Sequence, residues 1–288
     1  MPKRGLTRRE VVRGAAGAAL AAPWLASTLE AARSVQGGGF RQSVCRWPYA
    51  KIPIRDFFKA AADMGLTAVD LLTADEWPIA KEFGLTCSMG SGFGGTIVDG
   101  VNDPANHEAI VKGLSEGIPR AAEAGVPNLI TFFGNRRGRP DPEAIANSVT
   151  ALRRVAPLAE KYGVTVCVEL LNSKVDHKDY QGDRTPYGAT VVSEVSSPRV
   201  KLLYDIYHMQ IMEGDVIRTV RDNRQWIAHF HTGGVPGRHE IDDTQELYYP
   251  AVFRAIRETG FTGYVAHEFV PTRDPLTSLR EAVKLGGA

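Results

Sequence analysis

Four residues in this sequence carry the types and the spacing that chemistry needs: Glu169, Asp205, His231 and Glu268, separated by 36, 26 and 37 positions. Each closes a short apolar run, over residues 164–168, 200–204, 227–230 and 264–267. Such runs read as buried parallel strands, which places the four groups at strand ends. Taken singly, a strand-end acid more often caps the next helix or pairs with a base. Four in phase, about one strand–helix unit apart, point instead to one shared site. Three carboxylates gathered there would repel and raise one another's pKa, a conflict that a divalent cation resolves. Oxygen donors with one imidazole nitrogen suit Mn2+, Mg2+ or Co2+, and Zn2+ is less typical of so carboxylate-rich a set. A cation of this kind polarises a carbonyl as a Lewis acid. A carboxylate beside it can then move a proton at the neighbouring carbon.

Other side chains fall near enough to join them. His208 follows Asp205 by three residues, in the loop after the same run, where it can point into the same mouth. Arg238 lies in the loop after His231 and could clamp a carboxylate or hydroxyl through its planar fork; its plainer reading is a surface ion pair with Glu240 or Asp242. Lys174 and His177 read first as solvated loop. Trp47 and Tyr49 either wall a pocket or pack beneath the first loop.

The elements that must position these groups recur from Phe40 onward. Short apolar runs at 41–45, 68–71, 86–88, 128–132, 164–169, 200–205, 227–231 and 263–268 alternate with helical spacing. Between the fourth and fifth, Ile145, Val149, Leu152, Val155 and Ala159 mark one helix face; Pro157 is expected to kink that helix and Gly163 to end it. Gly65, Gly84, Gly125 and Gly260 sit at the corresponding helix ends elsewhere. Eight such units in about 245 residues match a (β/α)8 TIM barrel, whose strand ends converge on one mouth. A doubly wound open sheet would carry a Gly-rich phosphate turn after its first strand, and Cys45-Arg46-Trp47-Pro48 is not one. The Gly-rich stretch Gly90-Ser91-Gly92-Phe93-Gly94-Gly95 reads as a flexible loop over the mouth.

Charge divides the chain unevenly. Net charge is +1, but residues 1–39 hold six basic residues against Glu10 and Glu30, which leaves the remainder at about −3. That balance gives no electrostatic reason to expect a nucleic-acid partner. Thr7-Arg8-Arg9-Glu10-Val11-Val12-Arg13 followed by an Ala- and Gly-rich stretch resembles a twin-arginine signal. The expectation is therefore an export signal and linker over 1–39, a barrel domain over 40–288, and a periplasmic destination. The apolar part is too short and too poor in Leu and Ile for a stable membrane span. Cys45, Cys87 and Cys167 lie in or beside apolar runs and read as buried thiols rather than a disulfide framework.

The segments Val168-Glu169-Leu170-Leu171-Asn172, Tyr204-Asp205-Ile206-Tyr207-His208-Met209-Gln210, His229-Phe230-His231-Thr232-Gly233-Gly234-Val235-Pro236-Gly237-Arg238-His239-Glu240 and His267-Glu268-Phe269 resemble the hydroxypyruvate isomerase group. That group belongs to the xylose isomerase-like barrels, which include the ketose 3-epimerases. The resemblance covers about residues 40–275 and implies an enediolate route on a small hydroxy-carbonyl or sugar substrate. It implies that Glu169, Asp205, His231 and Glu268 hold one metal ion, that Glu169 and Glu268 also transfer protons from opposite sides of the substrate, and that His208 touches a substrate oxygen. The chain departs from bacterial hydroxypyruvate isomerase at His231, where those proteins tend to carry Gln and the ketose epimerases His. A ketose 3-epimerase or inositol-processing enzyme is the alternative within the superfamily. A metal-dependent phosphodiesterase or endonuclease and a non-catalytic sugar-binding protein are further alternatives, and a homo-oligomer is left open.

Overall fold

The computed structural model describes residues 39–287. The export signal and linker expected over 1–39 therefore lie, Gly39 apart, outside the described residues. From Phe40 the chain alternates strand and helix, and eight strands close in sequence order into one barrel. They are β1 (Arg41–Cys45), β2 (Ala68–Leu72), β3 (Thr86–Gly94), β4 (Asn128–Phe132), β5 (Thr165–Leu170), β6 (Val200–Asp205), β7 (Ile227–Thr232) and β8 (Tyr264–His267). Every neighbouring pair is parallel, and β8 returns to β1 with Arg41 opposite Tyr264. The expected TIM barrel is the observed fold. Among the described residues, no helix is long and apolar enough to cross a membrane.

The connecting helices are α1 (Ile54–Asp63), α2 (Trp77–Glu82), α3 (His107–Ala124), α4 (Asp141–Tyr162), α5 (Thr185–Val195), α6 (Ile206–Met212), α7 (Val216–Asn223), α8 (Tyr249–Glu258) and α9 (Pro275–Gly287). Helix α4 buries Val149, Leu152, Val155 and Ala159 against the barrel, the face that their spacing marks. It runs on through Pro157 to Tyr162 as one helix and ends at Gly163, as expected. Gly125 and Gly163 take left-handed backbone, φ 77° and 70°, and turn α3 and α4 into the next strand within a few residues. The opposite end of the barrel is built otherwise. There, residues 171–184 join β5 to α5, and residues 233–248 join β7 to α8.

Strand β3 corrects the reading of the glycine-rich stretch. Gly90–Gly94 continues the strand and pairs with β4, with Gly90 opposite Leu129 and Gly94 opposite Thr131. A Cβ on Gly94 would collide with the Ile130 carbonyl oxygen and come within 2.7 Å of the Thr131 Cβ, so glycine is required by the close approach of the two backbones. Thr131 Oγ1 donates to the Gly94 carbonyl at 2.6 Å and fixes that approach. Gly94→Ala is expected to destabilise the barrel by about 1–3 kcal/mol, the usual range for overpacking. Urea unfolding measures it, and an unchanged midpoint would contradict the steric account. Cys45, Cys87 and Cys167 are buried free thiols, as their apolar surroundings imply.

Candidate metal centre

Two-residue alternation along each strand decides which side chains face the barrel axis. Ile130, Cys167 and Leu203 meet Met89 in a small apolar cluster inside the barrel. Two positions nearer the strand ends stand Glu169 above Cys167 and Asp205 above Leu203. On β7 and β8 the same alternation carries His229 to His231 and Ala266 to Glu268, with His231 paired to both Asp205 and Ala266. Glu268 lies just past β8, and its amide donates to the Thr232 carbonyl at 3.0 Å, extending the ladder by one residue. The structure thus brings the four sequence-derived residues together. One donor atom from each of Glu169, Asp205, His231 and Glu268 falls within 4.8 Å of the others. All four side chains are buried.

The contacts within this cluster suit a cation. His231 Nδ1 is 2.6 Å from Glu268 Oε2 and 3.3 Å from Glu169 Oε1, yet makes a well-aligned hydrogen bond with neither. A buried ring nitrogen crowded by carboxylate oxygens in this way belongs to groups converging on a common point, a donor set that could hold a divalent metal. Asp205 divides its two oxygens. Oδ1 accepts from the His208 amide at 3.2 Å and caps α6, while Oδ2 faces the cluster and accepts from Arg238 at 3.1 Å. The capping role and the cluster role therefore coexist in one side chain.

The electrostatics separate the carboxylates. Burial pushes Asp205 up to about 7, Arg238 opposes the rise, and the nearby Glu268 adds to it. Burial also raises Glu169, against the pull of His231. Burial works on Glu268 in the same sense, but Arg238 and His231 outweigh it and hold that carboxyl well below its ordinary value. The two glutamates that line the pocket are thus biased in opposite directions before any cation is bound.

Arg238 reaches the cluster rather than its sequence neighbours. Its Nη2 donates to Glu268 Oε2 at 2.5 Å as well as to Asp205, and its guanidinium lies between the rings of Trp47 and Tyr207, 5.3 Å from each centroid. Glu240 and Asp242, the partners of the plainer reading, pair with Arg273 instead. Arg238 also has left-handed backbone, φ 59°, a costly conformation for a bulky residue that tends to mark functional sites.

His208 is fully buried beside Asp205, with Nε2 3.5 Å from Oδ2. Its Nδ1 accepts from the Asn172 amide at 3.2 Å, so Nε2 carries the hydrogen. Burial and then Arg238 push its pKa well below the ordinary value, which keeps it neutral. Trp47 walls the pocket, donating from Nε1 to Glu268 Oε1 at 2.6 Å, whereas Tyr49 is buried and stacks on Phe57. His177 also lines the pocket, and Lys174 instead donates to the Ile211 carbonyl at 2.8 Å. The cavity over the cluster holds about 480 Å³, and its lining includes Glu169, Glu268 and Arg238 together with Leu71, Ile97, Ile130 and Phe132. A cavity of about 530 Å³ between residues 240–250 and α9 is slightly larger, but it contains none of the four residues.

One buried acid escaped the sequence reading. Asp70, inside β2, lies 2.8 Å from His231 Nε2 and 3.2 Å from His229 Nε2, and accepts from the Ser88 hydroxyl. The available signal was a carboxylate in the middle of the apolar run Ala68-Val69-Asp70-Leu71-Leu72, a place where an unpaired charge is too costly to keep.

The closed parallel barrel and the cluster at the carboxyl ends of its strands define the class: a TIM-barrel protein with a carboxylate–imidazole centre at its mouth. The model of the xylose isomerase-like TIM barrel family matches residues 46–285, and the chain belongs to that family. It is similar to the 2-oxo-tetronate isomerase of Pectobacterium atrosepticum, 25% identical over 234 residues that cover 77% of this chain and 88% of the relative. It is also similar to the hydroxypyruvate isomerase of Escherichia coli, 28% identical over 181 residues that cover 62% of this chain and 68% of the relative. Among solved structures, the 3-keto-D-glucoside 4-epimerase of Escherichia coli superposes with a TM-score of 0.73 at 21% identity, covering 86% of this chain and all of that one (100%). The chain therefore stands among isomerases by sequence, and it shares its fold with an epimerase.

Proposed function

We propose that this chain is a metal-dependent isomerase of a small hydroxy-carbonyl compound, of the hydroxypyruvate isomerase kind, working through an enediolate of the substrate. The observation that carries the proposal is the convergence of Glu169, Asp205, His231 and Glu268 on one buried point. Glu169, Asp205, His231 and Glu268 would hold one divalent cation, with Mn2+, Mg2+ or Co2+ fitting the oxygen-rich set better than Zn2+. When bound, it supplies Lewis acidity that stabilises negative charge on the substrate oxygens.

The chain's own residues supply the remainder. Glu268, held anionic by Arg238, takes the proton from the carbon beside the carbonyl. The Trp47 indole fixes the direction in which that carboxylate points. Glu169 returns a proton to the adjacent carbon while the hydroxyl proton passes to the former carbonyl oxygen, completing isomerisation. Return to the opposite face of the same carbon would give epimerisation. Arg238, on the cavity wall, steadies the charge of the pair, whereas His208, expected from the sequence to touch substrate oxygen, is buried beside Asp205 and off that wall. The test is deuterium incorporation from D2O into hydroxypyruvate and into a panel of ketohexoses, with Mn2+ present. No incorporation into any hydroxy-ketone would overturn the proposal, and three bound metals in place of one would favour a phosphodiesterase.

One observation favours the sugar epimerase or inositol-processing reading as the second choice. A cavity of about 480 Å³ has room for more than a three-carbon acid. The same exchange panel separates the two readings. Residues 1–39 are proposed to direct export to the periplasm through the paired Arg8 and Arg9; Arg8→Lys with Arg9→Lys should leave the precursor in the cytoplasm.

Metal affinity should depend on pH in a defined direction. Asp205, raised to about 7, must lose its proton before it can ligate. Below that pH, Mn2+ binding is expected to weaken by about tenfold per unit for one displaced proton. Calorimetric titration between about pH 5.5 and 8 reads this, and a flat profile would remove Asp205 from the ligand set.

A further inference from the structure

Asp70 stands behind the imidazole of His231, on the side away from the cluster. His231 Nε2 is 2.8 Å from Asp70 Oδ2, while Nδ1 faces Glu268 and Glu169. Both Asp70 and His231 are 0% exposed, so water does not complete either side chain's contacts. The carboxylate is itself fixed from several directions. The Ser88 hydroxyl donates to Oδ1, His229 Nε2 lies 3.2 Å from the same oxygen, and the Cys45 thiol donates to Oδ2 at 3.6 Å.

An ionised carboxylate can only accept, so the hydrogen of the shared bond belongs to His231 Nε2. Nδ1 faces the cluster, and with a cation there it would release any proton it shares with Glu268 and turn its lone pair to the ion. An outer carboxylate of this kind fixes the orientation and tautomer of a ligating imidazole and makes its free nitrogen a better donor. Asp70 lies on β2, far along the chain from the four residues, and it is not on the cavity wall. We infer that Asp70 is a positioning residue that sets His231 as a nitrogen ligand, an inference that rests on the metal-site reading above. Asp70 acts through the ring and touches neither substrate nor cation.

The experiment is a Mn2+ titration of the full chain, of Asp70→Asn, of His231→Ala and of the double variant, with free Mn2+ read by electron paramagnetic resonance. Wild type binds one Mn2+, and Asp70→Asn binds it about 10- to 100-fold more weakly. In the His231→Ala background the same change at Asp70 has little further effect, because the ring through which it acts is gone. Equal losses in both backgrounds would mean a general structural role. That result, or unchanged affinity in Asp70→Asn, overturns the inference while leaving the metal site intact. A wild type that binds no Mn2+ overturns the metal reading and this inference together. If Asp70→Asn does not fold, Ser88→Ala, which removes the hydroxyl that holds Asp70, enters the same cycle. A loss that requires His231 supports the inference, and no loss or an equal loss without His231 overturns it.

Discussion

Glu169→Gln and Glu268→Gln are each expected to lower deuterium exchange into substrate by about 100- to 10,000-fold, the range for loss of a positioned acid or base. Glutamine has nearly the shape of glutamate and keeps an oxygen that can ligate, so the fold and part of the metal affinity should survive. It cannot take or give the proton. The two variants should also differ from each other. Glu268 accepts from Arg238 at 2.5 Å and lies 2.6 Å from His231 Nδ1, so its replacement strips charge from two cationic or ring partners. Glu169 has only the 3.3 Å approach to His231 and should lose less metal affinity on the same change. Exchange is measured at saturating Mn2+ so that the chemical step alone is compared. Full exchange in both variants would refute the proton-transfer roles.

Removing the metal should have the second largest effect. Dialysis against a chelator is expected to abolish exchange and to lower the melting temperature, with both restored by Mn2+. A ligand at about 100 times its dissociation constant stabilises the state that binds it by about 2.7 kcal/mol. For a domain of this size that corresponds to a shift of about 5–10 °C. The physical origin is the crowding of three buried carboxylates around one imidazole, partly balanced by Arg238 when no cation is bound. His231→Ala should keep the fold and lose most of the Mn2+-dependent shift. A melting temperature indifferent to Mn2+ in wild type would place the ion elsewhere or nowhere.

The barrel and its four-residue centre were legible for one reason. Strands covered on both faces are continuous in apolar residues, so β1, β4 and β6 keep in the structure the bounds that hydrophobicity alone gives them. An acid at the end of such a run stands out, as Glu169 and Asp205 do. Asp70 did not stand out, because it interrupts a strand in the middle and its purpose lies across the barrel on β7, 161 residues away. Gly90–Gly94 misled for the opposite reason. Glycine has little strand preference of its own, and that segment is extended because β4 leaves no room for a side chain at Gly94. Arg238 shows the limit of sequence proximity, since its long side chain passes over Glu240 and Asp242 to carboxylates on β6 and beyond β8.

The two ends of the barrel tolerate change unequally. Glycine-capped returns of a few residues stitch the underside and leave little freedom there, whereas 171–184 and 233–248 are long and overhang the centre. A new specificity could be grafted by exchanging those two segments, provided that Arg238 is carried within the replacement, and the frame beneath would register little of the exchange.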